Sequence, residues 1–491
     1  MEAREVIHPL AREVVPVPDP ERVWARALEL PHPLLLESVP GGGAGGRYSF
    51  LAADPFSVVS VAPGAASDPF HALQAVLDRF PVETLAGLPP FQGGLAGYLG
   101  YELHRFVEPA SRLPQRSHRH PDLWMGAYDW TVAWDHELGR CWILSTGLPE
   151  SSAPERRRRA ERRMAFVEGL LEAGSEVDGE RRSLAGAASS LVGKRRAMSA
   201  VPRPAHPVPG FPGLDSTFSR EGYLAAVDRV RTFIREGDVF QVNLSQRLSF
   251  ECSEDPREVY HHIRGKHPAA FSAAIRAEGS WIFSASPERF LRVRGGEVET
   301  RPIKGTAARG KTPREDAELA EGLRASAKDR AENVMIVDLL RNDLSKVCAD
   351  HTVEVTGLCV LESHPSVHHL VSTVRGRLRE GVGVEELLRA TFPGGSVTGA
   401  PKIRAVEIIG ELEPIQRGVY TGSIGYLGFD GTVDLSVVIR TIVLEDRRAH
   451  LAVGGGILLD SDPEREYVET LDKAEGLLRA LGAGGHTTGG S

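Results

Sequence analysis

Beyond Ser216 the chain alternates segments of strand character with long helical ones, and this succession constrains the fold more than any other feature of the sequence. WIFSASPERFLRV and GGEVETRPIKG read as strands, and TGSIGYLGFDGTVDLSVVIRTIVLED as a hairpin turning at Asp430-Gly431. AKDRAENVMIVDLLRNDLSKV reads as a helix with Val334, Ile336, Val337, Leu340, Leu344 and Val347 as its apolar set. Asp338, Arg341 and Asn342 form a polar seam in it that must be paired or functional. DPEREYVETLDKAEGLLRAL reads as a closing helix, opened by Ser461 and Glu464 as a capping box with Pro463 in its first turn. Hairpins joined to long helices predict an α+β fold rather than a regular βαβ repeat.

The length of 491 residues suggests two or three domains, and composition marks four zones. Residues 1–173 mix short apolar runs with glycine turns and end in a charged helical stretch. Residues 174–215, poor in aromatics and closing in a proline-glycine run, read as a linker or surface excursion. Residues 216–482 carry the periodic signals, and 483–491 read as a frayed tail. The 66 acidic residues against 58 basic ones give a net charge of −8, which argues against a surface that coats nucleic acid or anionic membrane. With no apolar run long enough to span a bilayer and no signal-peptide pattern at the N-terminus, the expected location is the cytoplasm. Cys141, Cys252, Cys348 and Cys359 are isolated in mostly apolar contexts and read as buried thiols.

Several generic motifs fail on inspection. PGGSVTGAPK lacks the lysine of a phosphate loop, and GGGAGG at Gly41–Gly46 precedes a strand rather than a helix. His364, His368 and His369 have metal-like spacing, but Pro365 breaks the helix that would align them, so packing or hydrogen bonding is the expected role. The arginines Arg156–Arg159, Arg162 and Arg163 are interleaved with glutamates and read as a solvated helix face.

One constellation carries chemistry. Glu466, Glu469 and Lys473 fall on one face of the closing helix, opposite Val468, Leu471 and Leu478. Spacing alone fits a solvated face equally well. Glu332 stands ahead of the apolar run of the earlier helix, and a carboxylate from each helix facing one cavity would suit a hard cation such as Mg²⁺ with retained waters. The ligand would then be a negatively charged substrate.

SPERFL (Ser286–Leu291), RPIKGT (Arg301–Thr306), AENVMIVDLLRNDL (Ala331–Leu344), VHHLVSTVRG (Val367–Gly376), FPGGSVTGAPKIRAVEII (Phe392–Ile409), VIRTIV (Val438–Val443) and DPEREYVETLDKA (Asp462–Ala474) follow one another in this order. Together they resemble the chorismate-utilising enzymes: anthranilate, aminodeoxychorismate, isochorismate and salicylate synthases. Upstream, LLLES (Leu34–Ser38) and RYSF (Arg47–Phe50) resemble the N-terminal part of the two aminating members. The resemblance implies one compact α+β unit of two large β-sheets packed together with helices outside, the N-terminal part being integrated into it.

It also implies roles. Glu332 and Glu469 would be Mg²⁺ ligands with Glu466 close by, and the ion with Lys473 would hold the ring carboxylate of chorismate. Arg440, Tyr420 and the backbone amides around Gly454 and Gly456 would hold the enolpyruvyl carboxylate, a guanidinium fork suiting a carboxylate and glycines letting the backbone come close. Glu288 would be the general acid for the departing ring hydroxyl, which needs a raised pKa. His369 would orient and polarise near the ring, and Ser396, Thr306 and Gln241 complete the substrate-binding set.

Two positions divide the family by chemistry. The hydrating members resemble one another in a lysine base where this chain has Gln241, and an amide cannot take a proton from water. Anthranilate synthases typically read PIAGT, whereas PIKGT with Lys304 resembles the aminodeoxychorismate synthases, in which the lysine would act as a covalent catalyst. LLLES and RYSF are somewhat closer to anthranilate synthase. A fold relative without catalysis would lack a metal carboxylate or the acid, but Glu288, Glu332 and Glu469 are all present. None of the cysteines stands in a glutaminase elbow, so ammonia is expected from a separate amidotransferase subunit. Leu36, Glu37 and Ser38 lie in the segment that resembles a tryptophan site of the aminating relatives; a plain buried strand reads equally well.

Overall fold

The computed structural model describes residues 6–38, 46–109, 112–172, 204–365 and 367–483. Gly41 to Gly45, most of the linker (174–203) and the tail from 484 lie outside the described residues. The α+β expectation is met by two large antiparallel sheets of 13 and 10 strands. Both draw strands from either side of the linker. Leu34–Glu37 pairs with Phe271–Ala277 in the larger sheet, and Gly94–Leu99 pairs with Ser423–Gly428 in the smaller. The described end of the linker adds the short strands His206–Pro207 and Asp215–Ser216 to the edge of the larger sheet, beside Gln241–Glu251.

The sheets pack face to face. Leu34, Phe50, Ile275 and Ile282 of the larger sheet meet Trp124, Ile424 and Tyr426 of the smaller in one buried layer. The other face of the larger sheet is covered by helices Pro20–Ala27, Pro256–Lys266 and Pro463–Ala480, through Trp24, Tyr260 and Leu478. That of the smaller is covered by Pro69–Arg79, Ala327–Ser345 and Val384–Thr391, through Phe70, Val337 and Leu388. Each such side chain contributes about 1.5–3 kcal/mol by leaving water.

The segment WIFSASPERFLRV is two strands in different sheets. Ser280–Ser286 pairs with Thr441–Glu445 in the larger sheet, and Arg289–Arg294 with Val433–Val437 in the smaller. Pro287 lies between them, and without an N–H it cannot continue a ladder. Pro302 likewise divides GGEVETRPIKG into Glu297–Arg301 and Ile303–Ala308, both beside Val367–Arg377. The hairpin forms around Asp430-Gly431 as expected, and its last portion crosses back to the larger sheet as Thr441–Glu445. The two crossings run side by side and are stitched together. Ser286 Oγ donates to Val437 O at 2.6 Å, Val437 N to Glu288 O at 3.0 Å, and Ala285 N to Arg440 O at 3.0 Å.

Some sequence expectations shift by one face or one residue. In helix Ala327–Ser345, Val334 is 47% exposed, and Asp338, Arg341 and Asn342 face solvent. The buried polar residues are instead Asn333, which donates to Leu370 O, and Asp343, which pairs with Lys402. Helical periodicity fixes the spacing of a face but tolerates a small rotation of it. Val468 of the closing helix is likewise half exposed. That helix is capped by Asp462, which accepts from Arg465 N, while Ser461 donates to Glu466 at 2.6 Å. The arginine-rich helix Ala153–Glu172 is not wholly solvated: Arg159 and Arg163 both reach the buried Asp129 and tie the helix to the sheet. All four cysteines are buried and free. Among the described residues no helix is long and apolar enough to cross a membrane.

Candidate active site

The stitched crossings place two functional side chains. Glu288 follows Pro287 on the first and is buried. Burial pushes its carboxyl up to about 7, although the Ser396 hydroxyl and the charge of Lys304 oppose the shift. Arg440 sits on the second crossing in a left-handed conformation, φ +50°. Burial lowers its pKa, and no charged neighbour offsets the effect. A largely buried guanidinium without an ion pair among the described residues is a receptor for an anion. His369 lies within its field. Its Nδ1 is 2.9 Å from Thr306 Oγ1, and burial, followed by Arg440, lowers it to about 3, so the ring is neutral at physiological pH. His368 is held by Ser363 and Asp316.

Lys304, on strand Ile303–Ala308, reaches Glu332 Oε1 at 2.9 Å and donates to Ser396 O at 3.0 Å. Gln241 Nε2 donates to the same Glu332 oxygen at 2.6 Å. Burial alone would raise the Glu332 pKa, but Lys304 and Gln241, with Lys473 further off, outweigh it and hold it below its ordinary value. Glu288, Ser396, Lys304, Glu332 and Gln241 thus form one connected set.

The opposite wall is an open strand edge. Strand Arg448–Ile457 pairs with Gln241–Glu251 along its whole length, but with Thr441–Glu445 only up to Leu451. Gly454 O accepts from Lys473 Nζ at 2.9 Å, so it points to the free edge, and strand alternation gives Gly456 the same direction. A side chain here would collide. A Cβ on Gly456 would lie 1.9 Å from Gln241 Nε2 and 2.9 Å from Glu332 Oε1, and one on Gly455 would lie 3.2 Å from Glu466 Oε2 and 3.8 Å from Glu469 Oε1. Carboxylates from two helices therefore lie against adjacent glycines, on the two faces of this strand. Burial, and then the charge of Glu469, raises the Glu466 pKa. Lys473 pairs with Glu469 at 2.7 Å. Among the described residues no three acidic, imidazole or thiol side chains already form a metal cluster. The donor set nevertheless fits Mg²⁺, which takes one or two carboxylates and completes its shell with water and substrate.

Tyr420 is buried, its hydroxyl joined to the Asn243 side chain, and burial pushes it up to about 12. Beside it lies a charged centre that sequence reading missed. Arg417 forms a two-point pair with Glu413 at 2.7 and 2.9 Å and donates to Val397 O, Asn243 O and Thr421 Oγ1. Tyr101 and Tyr420 flank its guanidinium at 4.7 and 5.8 Å. The available signal was an acid and a base four apart in an otherwise apolar stretch, ELEPIQRGVY.

Leu36, Glu37 and Ser38 are not brought to this site. They border a separate cavity of about 490 Å³ between the sheets, with Phe50, Tyr426 and Arg294. The Glu37 carboxylate is engaged by Tyr260 and Arg264, and Ser38 Oγ donates to Ala270 O.

A family model described as chorismate binding enzyme matches residues 32–479. The chain belongs to this family. It is 36% identical over 474 residues to aminodeoxychorismate synthase component 1 of Escherichia coli K12, covering 94% of this chain and 96% of that protein. It is 40% identical over 451 residues to anthranilate synthase component 1 of Streptomyces coelicolor, covering 91% and 83%. The solved anthranilate synthase component I of Streptococcus pneumoniae TIGR4 matches with a TM-score of 0.71 at 29% identity, over 90% of this chain and 93% of that one. The menaquinone-specific isochorismate synthase of Escherichia coli matches at 0.67 over 98% and 96% of the two chains, and at 18% identity this is a likeness of fold alone. The resemblance read from the motifs is borne out for family and fold, and the substrate class that goes with the family is chorismate.

Tyr420 lies beside the Arg417–Glu413 pair. Arg417→Met would strand a buried carboxylate and release three segments, and should destabilise the protein by about 3–5 kcal/mol in denaturant unfolding. A change within experimental error would show that the pair is dispensable.

Proposed function

We propose that the chain is the chorismate-aminating component of an aminodeoxychorismate synthase. With ammonia from a separate glutamine amidotransferase subunit, it converts chorismate to 4-amino-4-deoxychorismate, a precursor of 4-aminobenzoate and folate. The observation that carries this reading is Lys304, set between Glu332 and Ser396 and beside the buried Glu288. The similarity to the Escherichia coli aminodeoxychorismate synthase component supports it.

Arg440, Tyr420 and the free-edge N–H groups of Gly454 and Gly456 hold the enolpyruvyl carboxylate. Lys473 faces the ring carboxylate, where Mg²⁺, when bound by Glu332, Glu469 and Glu466, supplies further positive charge. His369, neutral and fixed by Thr306, packs by the ring. Lys304, as the free amine, bonds to ring position 2. The diene shifts, the bond from position 4 to its hydroxyl breaks, and Glu288 gives its proton to the leaving oxygen, which departs as water. Ammonia then bonds at position 4, the diene shifts back, and the bond to Lys304 breaks. One awkward substitution becomes two allylic ones.

A second reading, anthranilate synthase component I, draws on the 40% identity to the Streptomyces coelicolor enzyme and on LLLES with RYSF. Incubation with chorismate, Mg²⁺ and ammonium, followed by mass and fluorescence identification of the amine, separates the two. Lys304→Ala should abolish the 4-amino product and divert ammonia to position 2. Lys304→Arg keeps the charge and loses the nucleophile, so 4-amino product at near wild-type rate from that variant would refute covalent catalysis.

Glu288 works as an acid only while protonated. Because burial lifts it to about 7, turnover should fall about tenfold per unit as pH rises above that value. Glu288→Gln should lose roughly 10²–10⁴-fold in kcat. An unchanged alkaline limb in that variant would assign the limb to another group. Glu469→Gln should cut metal-dependent turnover by orders of magnitude with the fold intact, and an unchanged Mg²⁺ titration would remove Glu469 from the ligand set. Finally, the inter-sheet cavity beside Leu36 and Ser38 is proposed to take tryptophan. Calorimetric titration should register binding, and its absence from both titration and purified protein would leave a plain buried strand.

A further inference from the structure

The loop that carries Tyr420 runs through unusual backbone angles. Gly418 and Thr421 both lie in the left-handed region, at φ +68° and +60°. For a β-branched threonine this conformation is strained and persists only where the surroundings impose it. Thr421 is held from its own half of the chain, its N–H donating to Val438 O at 2.7 Å and its Oγ1 accepting from Arg417 at 3.1 Å, and the start of the loop is held from the other half. Directly after strand Gly94–Leu99, Glu102 accepts from Arg417 N through one carboxylate oxygen at 2.7 Å, and from Gly418 N through the other at 3.0 Å. Tyr101 N returns a bond to Gly418 O at 2.8 Å, and the Tyr101 ring lies against the Arg417 guanidinium. A few residues on, Gln115 O accepts from Gln416 N at 2.9 Å. Glu102 is 1% exposed, and the mechanism above gives it no part.

We propose that Glu102 is a positioning residue for chorismate: its two carboxylate oxygens clamp the loop at Arg417 and Gly418 and so set Tyr420 for the enolpyruvyl carboxylate. The inference rests on the role given to Tyr420, and it is independent of which nucleophile attacks the ring. A carboxylate is the one side chain of this length that accepts at both ends. In Glu102→Gln, one end becomes an N–H₂ group facing a backbone N–H, so one bond is lost and a repulsion replaces it. The loop would relax toward unstrained angles and carry Tyr420 with it.

The test is the consumption of chorismate by the full chain, followed without regard to product. It is run at pH 8.5, because burial, and then Asp122, pushes Glu102 up to about 8. Glu102→Gln should raise the KM for chorismate about tenfold and leave kcat within about twofold, the signature of binding lost equally from substrate and transition state. Tyr420→Phe alone should raise the same KM. In the double variant, Glu102→Gln should add nothing further, because the group it positions is gone. Glu102→Asp, which keeps both oxygens but withdraws them, should move KM in the same direction by less, and serves if the glutamine variant does not fold. An unchanged KM in either Glu102 variant, or KM effects of Glu102→Gln and Tyr420→Phe that multiply, would overturn the clamp. If Tyr420→Phe alone left KM unchanged, the role of Tyr420 would fail instead, and that outcome would be visible separately.

Discussion

The structure turns on the place where the chain twice passes from one sheet to the other. At Pro287–Glu288 and again at Val438–Arg440 a strand leaves one layer of the sandwich and enters the second, and the two passages bond to each other as well as to neighbouring backbone at Thr421 and Gly422. Backbone that leaves a ladder must find new partners, since an unpaired buried N–H or C=O costs as much as a lost hydrogen bond. Here each passage supplies the other. Neither strand can slip its register without breaking both. Glu288 and Arg440 are therefore fixed relative to one another by main chain, which is stiffer than any side-chain contact. The remaining parts of the site approach this junction from outside: Lys304 and His369 from the smaller sheet, Glu332 from one helix, and Glu469 and Lys473 from another.

The charges at the junction are arranged for exchange. Lys304 and Glu332 are mostly buried and 2.9 Å apart, and Lys473 and Glu469 form a second pair across the glycine edge. Removing one partner of a buried pair strands the other charge, which is strongly destabilising. On the reading proposed above, a dianionic substrate arriving with a divalent cation would remove nothing: each ammonium would gain a carboxylate as it gives one up, and each carboxylate a cation. The site would then trade partners at nearly constant charge. Arg440 is the exception, with no ion pair among the described residues to give up, and on that reading it would provide the net attraction.

The architecture was legible where it depends on local pattern. The hairpin at Asp430-Gly431, the helix Ala327–Ser345 and the proline-started closing helix follow from turn chemistry and periodicity, and the two-sheet fold from the family resemblance. What was not legible depends on distance in sequence. Pro287 could be read as a break, but not as a passage between sheets, because that is decided by the partner strands Val433–Val437 and Thr441–Glu445 some 150 residues away. The same holds for Glu102, whose partners Arg417 N and Gly418 N lie in the opposite half of the chain. Helix faces were nearly right, yet Asn333 and Asp343 are the buried polar residues rather than Asp338, Arg341 and Asn342. A rotation of about one residue is within what a 3.6-residue period leaves undetermined.

On the reading proposed above, Arg440, Glu288 and the glycine edge act on the features of chorismate common to any of its reactions. On the same reading, the choice of reaction falls to Gln241 and Lys304. Both are bonded to one atom, Glu332 Oε1, at 2.6 and 2.9 Å. Their effects therefore cannot be independent. A carboxylate oxygen has two lone-pair sites, and here one holds an amide and the other an ammonium. Replacing the amide by a second ammonium would crowd two like charges onto one oxygen, pull the carboxylate from the glycine edge where its helix presents it, and push one amine toward its neutral form. Replacing the ammonium by an apolar side chain would instead leave the carboxylate with a single donor and a surplus of charge. A change of nucleophile in this scaffold thus requires both positions to change together, with Glu332 as the group that enforces the coupling.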